Sequence, residues 1–268
     1  MHFLTVKRGP LEYLVCDLLS GAPHCFSTRL GGVSTGEFAS LNLGIHRGDR
    51  PGRVLENYRI LGRALGFRPQ DTVFTRQTHT DLVVRVGRAD RGDGLFRPVL
   101  QDRDALITDE PGVVLTIFTA DCTPILLYDP ARGAVGAAHA GWRGTAAGIA
   151  AKTVQAMVRE FGCKPRDIRA AVGPCIGPCC FETDADVPGA MLQSLGEAAR
   201  SGIAGEGPKY HVDLKTLNRL WLEQAGVGQV ALCPDCTACD PDRYWSHRVT
   251  QGRRGSLASF IHLPQAGV

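Results

Sequence analysis

Apolar positions recur along this chain at two periods. Short runs rich in β-branched residues alternate with stretches in which apolar residues return every three or four positions, which predicts strands interleaved with helices. Residues 113–118, 168–172, 230–233 and 257–261 are apolar runs of the length and type that buried strands have. Residues 73–74, 82–86 and 104–109 read as further strand segments. Val54, Tyr58, Leu61 and Leu65 make one helical stripe closed by Gly66; Leu214, Leu217, Trp221 and Ala225 make another, capped by Asp213 and ended by Gly226. A third stripe, Ala150, Val154, Met157, Val158 and Phe161, predicts one helix from a cap at Thr145 to about Phe161.

The rest of the chain is organised around residues 113–144. Within them, 125–128 and 134–138 flank the turn cluster Asp129-Pro130-Ala131-Arg132-Gly133, so a hairpin is expected. In a regular hairpin with Tyr128 opposite Gly133, Cys122 falls opposite His139. Directly opposed side chains have Cβ atoms about 4.5–5.5 Å apart. A thiolate and an imidazole at that separation can share one metal ion. Against this stands Pro124, which cannot donate to a ladder and could end regular pairing just before the pair is reached. Gly141-Trp142-Arg143-Gly144 then leads into the third helix, where free N–H groups and Arg143 would attract an anion.

Composition narrows the class. The 268 residues are 44% hydrophobic and 21% charged, ordinary for a globular chain, and the absence of a linker or repeat favours a single domain over 1–268. A net charge of +3 is too mild to argue for nucleic acid. Lys7, Arg8, Glu12 and Asp17 interrupt the N-terminal apolar residues, and no run reaches the roughly 18 residues of a membrane span. A cytoplasmic protein with no membrane partner is expected. Ten cysteines in a reducing compartment suggest metal or catalytic use before disulfides.

Other candidates lie in loops. His79, between two strand segments, is a third possible ligand, since a catalytic zinc keeps three protein ligands and an open position. Arg29, in the Gly-Gly loop of residues 26–36, could face an anion. Cys233, Cys236 and Cys239 have the spacing of an iron–sulfur ligand run, with Cys175, Cys179 or Cys180 available as a fourth thiolate. No cysteine follows Cys239, so buried or loosely paired thiols are the favoured reading of these residues.

The pieces STRLGGVSTGEFASLNLG, QTHT, DALIT, TADCTPILLYD, AAHAGWRGTAAGI, GPCIGPCCFE, HVDL and CTACDPDRYWSHR, taken in order, resemble the laccase-domain proteins, also called multicopper polyphenol oxidases. The resemblance runs from about Phe26 to Ile261. Members of that family are largely read as zinc-dependent purine nucleoside phosphorylases. It implies an α+β fold of stacked mixed sheets flanked by helices, an α/β/β/α-like sandwich related to cysteine hydrolases. It also implies a metal triad at His79, Cys122 and His139. Two tail positions depart from the family pattern. Val249 replaces a second arginine after Arg248, and Ser256 replaces the arginine of a TGR segment, leaving Arg253 or Arg254 as substitutes. Cys175 stands where the family often has serine.

The leading expectation is phosphorolysis of adenosine, inosine or S-methyl-5′-thioadenosine to base and the ribose 1-phosphate, with adenosine deamination as a side activity. Zn2+ is the expected cofactor and Cu2+ the alternative ion. Arg29, Arg143 and Arg248 are candidates to hold phosphate, and Asn42 and Gln77 to contact substrate. Asp121 is expected to support a ligand histidine in preference to acting as a general base. A rival reading is a hydrolase editing peptidoglycan precursors, with Cys122 as nucleophile and His139 as base. A copper polyphenol oxidase of the true laccase type is disfavoured, because none of the eight histidines forms a His-x-His pair. Purine nucleosides and phosphate are the expected partners, and a monomer is expected.

Overall fold

The computed structural model describes residues 2–264. In chain order its strands are β1 (Phe3–Arg8), β2 (Leu11–Cys16), β3 (His24–Ser27), β4 (Thr72–Phe74), β5 (Val83–Arg85), β6 (Ala105–Thr108), β7 (Val114–Thr119), β8 (Thr123–Asp129), β9 (Ala134–Ala140), β10 (Arg169–Val172), β11 (Glu182–Thr183), β12 (Ile203–Ala204), β13 (Tyr210–Val212), β14 (Gln229–Leu232) and β15 (Leu257–Ile261). The helices are α1 (Pro51–Leu65), α2 (Trp142–Ala146), α3 (Ile149–Phe161), α4 (Asp186–Leu195), α5 (Leu214–Gln224) and α6 (His247–Thr250). One six-stranded sheet has the order β1-β2-β3-β15-β7-β4 and a second has β14-β10-β8-β9-β6-β5; β11, β13 and β12 form a small third sheet. Among the described residues no helix is long and apolar enough to cross a membrane.

The two large sheets stack face to face. Leu115, Ile117, Leu257 and Ile261 of the first share one core with Leu106, Leu126, Val135 and Ala137 of the second. The outer face of the first sheet packs Val114 and Phe260 under Tyr58 and Leu61 of α1. The outer face of the second packs Ile107, Ile125 and Ala138 under Val154 and Met157 of α3 and Leu222 of α5. This is the α+β sandwich the sequence predicts. It also explains why β7, β8 and β9 read as continuous apolar runs and not as alternating ones: both of their faces are covered.

Two expectations need correction. The β8–β9 ladder pairs Asp129 with Ala134 and Pro124 with His139, two residues away from the register expected from Tyr128 opposite Gly133. The cause lies in the turn, where Asp129 Oδ1 accepts from the N–H groups of Ala131 and Arg132 and so holds Asp129 at the strand end. Pro124 does not end the ladder. Its carbonyl accepts from Gly173 N–H on the β10 side, and the His139 N–H points away to Asp104, so the missing proline donor faces away from β9.

The expected single helix after His139 is two helices. Gly148 adopts φ +73° between α2 and α3, a left-handed conformation that interrupts the helix and that glycine tolerates. Thr145 caps nothing; its hydroxyl accepts from Asn218 and its carbonyl from the Trp221 indole, so α5 holds the break in place. Val158, expected on the buried stripe, is 37% exposed at its edge.

Candidate metal centre

One strand and two loops converge at the end of the β8–β9 hairpin. His139 comes from β9 and is buried; Cys122 lies one residue before β8; His79 sits in the loop between β4 and β5. One ligand atom from each of the three lies within 4.8 Å of the other two. Two backbone conformations make this possible. His79 and Asp121 have φ of +61° and +82°, left-handed values uncommon outside glycine, which turn their loops inward.

Asp104, fully buried just before β6, fixes two of the three donors. Its carboxylate accepts from the N–H groups of Thr78, His79 and Thr80 and from the Thr80 hydroxyl. Its Oδ1 also lies 2.8 Å from His139 Nδ1. With the Nδ1 proton held there, Nε2 is the nitrogen His139 can offer to an ion. Burial alone would lower the His139 pKa, but the negative charges of Cys122 and Asp104 outweigh it and raise it to about 9. Burial and then the His139 charge push His79 down. Sequence reasoning missed Asp104; its one signal was the aspartate that opens the DALIT piece.

The arrangement fits a soft divalent ion. One thiolate and two imidazoles are a donor set suited to zinc or copper. Gly141 borders the space they enclose. A Cβ there would lie 2.6 Å from His79 Nδ1 and 3.2 Å from Cys122 Sγ, so any side chain would invade it.

The other candidate residues are placed as follows. Asp121 bonds neither histidine. Its carboxylate accepts from the hydroxyls of Thr237 and Ser246 and from Arg248 N–H, so it ties the tail to the Cys122 turn. The role expected for it beside a histidine belongs to Asp104. Gln77 pairs its amide with the N–H and C=O of Phe118, extending the β4–β7 edge. Asn42 is buried and braces its own loop through Gly44, Asp49 and the Ser256 N–H. Arg29 donates to the carbonyls of Ala39 and Pro241 and stacks 3.8 Å from the Trp245 ring centroid. Arg248 donates to the carbonyls of Cys180 and Glu182. Arg143 is exposed over Trp142, has no ion-pair partner among the described residues, and lies near enough to depress the His79 pKa.

Between the two tail arginines the structure distinguishes clearly. Arg253 is exposed, whereas Arg254 is only 8% exposed and its Nε has no partner among the described residues. Burial, then the neighbouring charge of Arg47, lowers the Arg254 pKa to about 10, against the opposing pull of Asp121 and Cys122. Arg47 Nε in turn donates to Ser256 Oγ, at the position where the family pattern carries its arginine. A cleft of about 770 Å³ opens beside these groups, with Arg47, Gln77, Phe118 and Ser256 in its wall.

Four of the remaining cysteines, Cys179, Cys180, Cys236 and Cys239, form a second gathering of thiols. Cys233, which its spacing would join to them, is buried in the core between the sheets instead.

Residues 23–264 match the family described as multi-copper polyphenol oxidoreductase laccase, and the chain belongs to that family. Among its relatives are the purine nucleoside phosphorylase YlmD of Geobacillus stearothermophilus, 39% identical over 90% of both chains, and a purine nucleoside phosphorylase of Deinococcus radiodurans, 41% identical over 91% of this chain and 90% of the relative. The crystal structure of the Bacillus licheniformis hypothetical protein YfiH superposes with a TM-score of 0.92 at 37% identity, covering 97% of this chain and 98% of that one. The crystal structure of the Geobacillus YlmD superposes with a TM-score of 0.91 at 36% identity, over 97% and 99% of the two chains.

Proposed function

We propose that this chain is a zinc-dependent purine nucleoside phosphorylase. It takes adenosine, inosine or S-methyl-5′-thioadenosine with phosphate and releases the base and the corresponding ribose 1-phosphate, with adenosine deamination as a side reaction. The observation that carries this reading is the His79–Cys122–His139 triad standing beside a buried, partly unpaired arginine, Arg254. Both the soft-metal donors and the anion-binding charge that phosphorolysis needs are then at one place. The names of the relatives support it.

Zinc held by the triad would supply a Lewis acid that polarises a bound oxygen. The chain's own residues do the rest. Asp104 keeps the His139 ring in one tautomer and the His79 turn in one shape. Asp121 positions the Cys122 turn and is too fully engaged to serve as a general base. Arg254, Arg47 and Arg143 are the cations with capacity to spare for phosphate, because Arg29 and Arg248 are committed to carbonyl groups. Copper is the alternative ion for the same donors.

Cys122 beside His139 also suits a nucleophile–base pair, which keeps hydrolysis of an amide in cell-wall precursors as the second reading. Phosphate separates the two. Zinc-loaded protein is incubated with adenosine, with and without phosphate, beside Cys122→Ala, and the products are separated by chromatography. Phosphate-dependent adenine from the wild type alone is the expected result. Inosine formed without any phosphate requirement would make the protein chiefly a deaminase, and absence of product from every nucleoside would end the phosphorylase reading.

A further inference from the structure

Cys179, Cys180, Cys236 and Cys239 bring four sulfurs within 4.8 Å of one another, with Cys239 Sγ 3.4 Å from both Cys179 Sγ and Cys180 Sγ. We propose that these four thiolates bind a second zinc ion, a structural tetrathiolate site separate from the His79–Cys122–His139 triad.

The geometry favours one ion. Four sulfurs at about 2.3 Å from a tetrahedral centre lie roughly 3.8 Å apart, and the thiols are already gathered close to that spacing. An iron–sulfur cluster distributes its cysteines over different irons and needs them farther apart. The count also fits: structural zinc sites are closed, with four protein ligands and no open position. All four cysteines are unpaired by disulfides. Two of them, Cys179 and Cys239, are exposed, so an ion can reach the group from solvent. As the ion binds, the thiols lose their protons to solvent and become thiolates. The backbone is arranged to accept that charge. Gly177 N–H donates to Cys236 Sγ at 3.1 Å, and the Arg248 guanidinium sits on the Cys180 carbonyl.

The site would staple together two loops that both brace Asp121, the residue before Cys122. On the first loop, Ile176 N–H donates to the Asp121 carbonyl; on the second, the Thr237 hydroxyl donates to the Asp121 carboxylate. The cysteines flank these contacts directly. Closing the two loops on one ion fixes Asp121 from both sides, and with it the turn that presents Cys122. The tetrathiolate ion thus braces the Cys122 turn without touching substrate.

The test uses the full chain. In His79→Ala/Cys122→Ala protein, where the triad keeps a single donor, metal analysis after dialysis is expected to find one zinc per chain. X-ray absorption at the zinc edge is expected to show sulfur alone in the first shell, at about 2.3 Å. Adding Cys236→Ser and Cys239→Ser should remove that zinc. Should this variant fail to fold, a mercurial titration of the His79→Ala/Cys122→Ala protein replaces it, with one zinc expected to be released as four thiols react. Absence of zinc, iron in its place, nitrogen in the first shell, or a Cys179–Cys239 or Cys180–Cys239 disulfide in freshly purified protein would each overturn the proposal. The zinc lost between wild type and the triad variant reports the triad separately, so the two sites fail or stand independently.

Discussion

Asp104 and His139 form a buried carboxylate–imidazole pair, Oδ1 to Nδ1 at 2.8 Å, in a chain where the same carboxylate also anchors the backbone of His79. One side chain therefore sets both nitrogen donors of the triad. Replacing Asp104 with Asn keeps its shape but removes the charge. Zinc affinity, measured by competition with a chromogenic chelator, is expected to fall by about 10- to 100-fold. Circular dichroism should show the fold retained. An unchanged affinity would mean that the pair orients nothing that matters.

Gly141 offers a cleaner probe of the space between the donors. Its φ of −67° suits alanine, so Gly141→Ala introduces no backbone strain. The added methyl meets the His79 ring and displaces it. A misplacement on the order of 1 Å is expected to lower kcat by about 100-fold, with the unfolding midpoint unmoved. If activity survives, His79 is not held where the chemistry happens.

Arg254 is expected to act on phosphate and not on the nucleoside. A charge-assisted hydrogen bond contributes about 1.5–3 kcal/mol. Arg254→Met should therefore raise the phosphate KM by about 10- to 100-fold, leaving the nucleoside KM near its starting value. Initial rates against each substrate in turn measure this. Equal losses for both substrates would show a structural effect of the buried side chain, and Arg254 would lose its assignment.

Stability should depend on pH through His24. Burial lowers its pKa below the ordinary 6.5, and its ring is spoken for: Nε2 accepts from Cys16 N–H and Nδ1 bonds the Ala22 carbonyl. Below about pH 6.5 the unfolded chain takes up a proton that the folded chain refuses, so stability falls as the pH drops from there toward the folded-state pKa. His262 is lowered by burial too and adds to the same slope. Urea unfolding at pH 7 and pH 5 should show a smaller loss for His24→Gln than for wild type. Parallel slopes would remove His24 as the cause.

Much of the fold was legible because the central strands, β6 to β9 and β15, are short, apolar and buried on both faces, so composition alone marks them. β15 falls on residues 257–261 as expected, and α1 and α5 carry the stripes and caps read from their sequences. Register was harder. Whether Asp129 belongs to the turn or to the strand depends on which N–H groups its carboxylate accepts, and no periodicity records that. The expected meeting of Cys122 and His139 survived the error, since a two-residue slip leaves each side chain on the same face. Other failures share a cause in contacts distant along the chain. Gly148 breaks a helix because α5 waits to hold the break. Asp104 looked like an ordinary strand start until the loop before β5 closed over it. The four gathered thiols come from two segments far apart in the chain, and local spacing pointed to the wrong third member, Cys233.

The position of β15 has a consequence for how the protein is made. This strand lies between β3 and β7, in the interior of its sheet. A nascent chain threaded out of the ribosome only as far as about residue 235 has already exposed the triad residues. It still lacks the strand that joins the first strands of the sheet to β7. Thr237, Ser246 and Arg248, which brace Asp121, also arrive late. Incomplete translation products therefore cannot assemble a working centre, and a prematurely stopped chain should be inert and open to proteolysis instead of partly active.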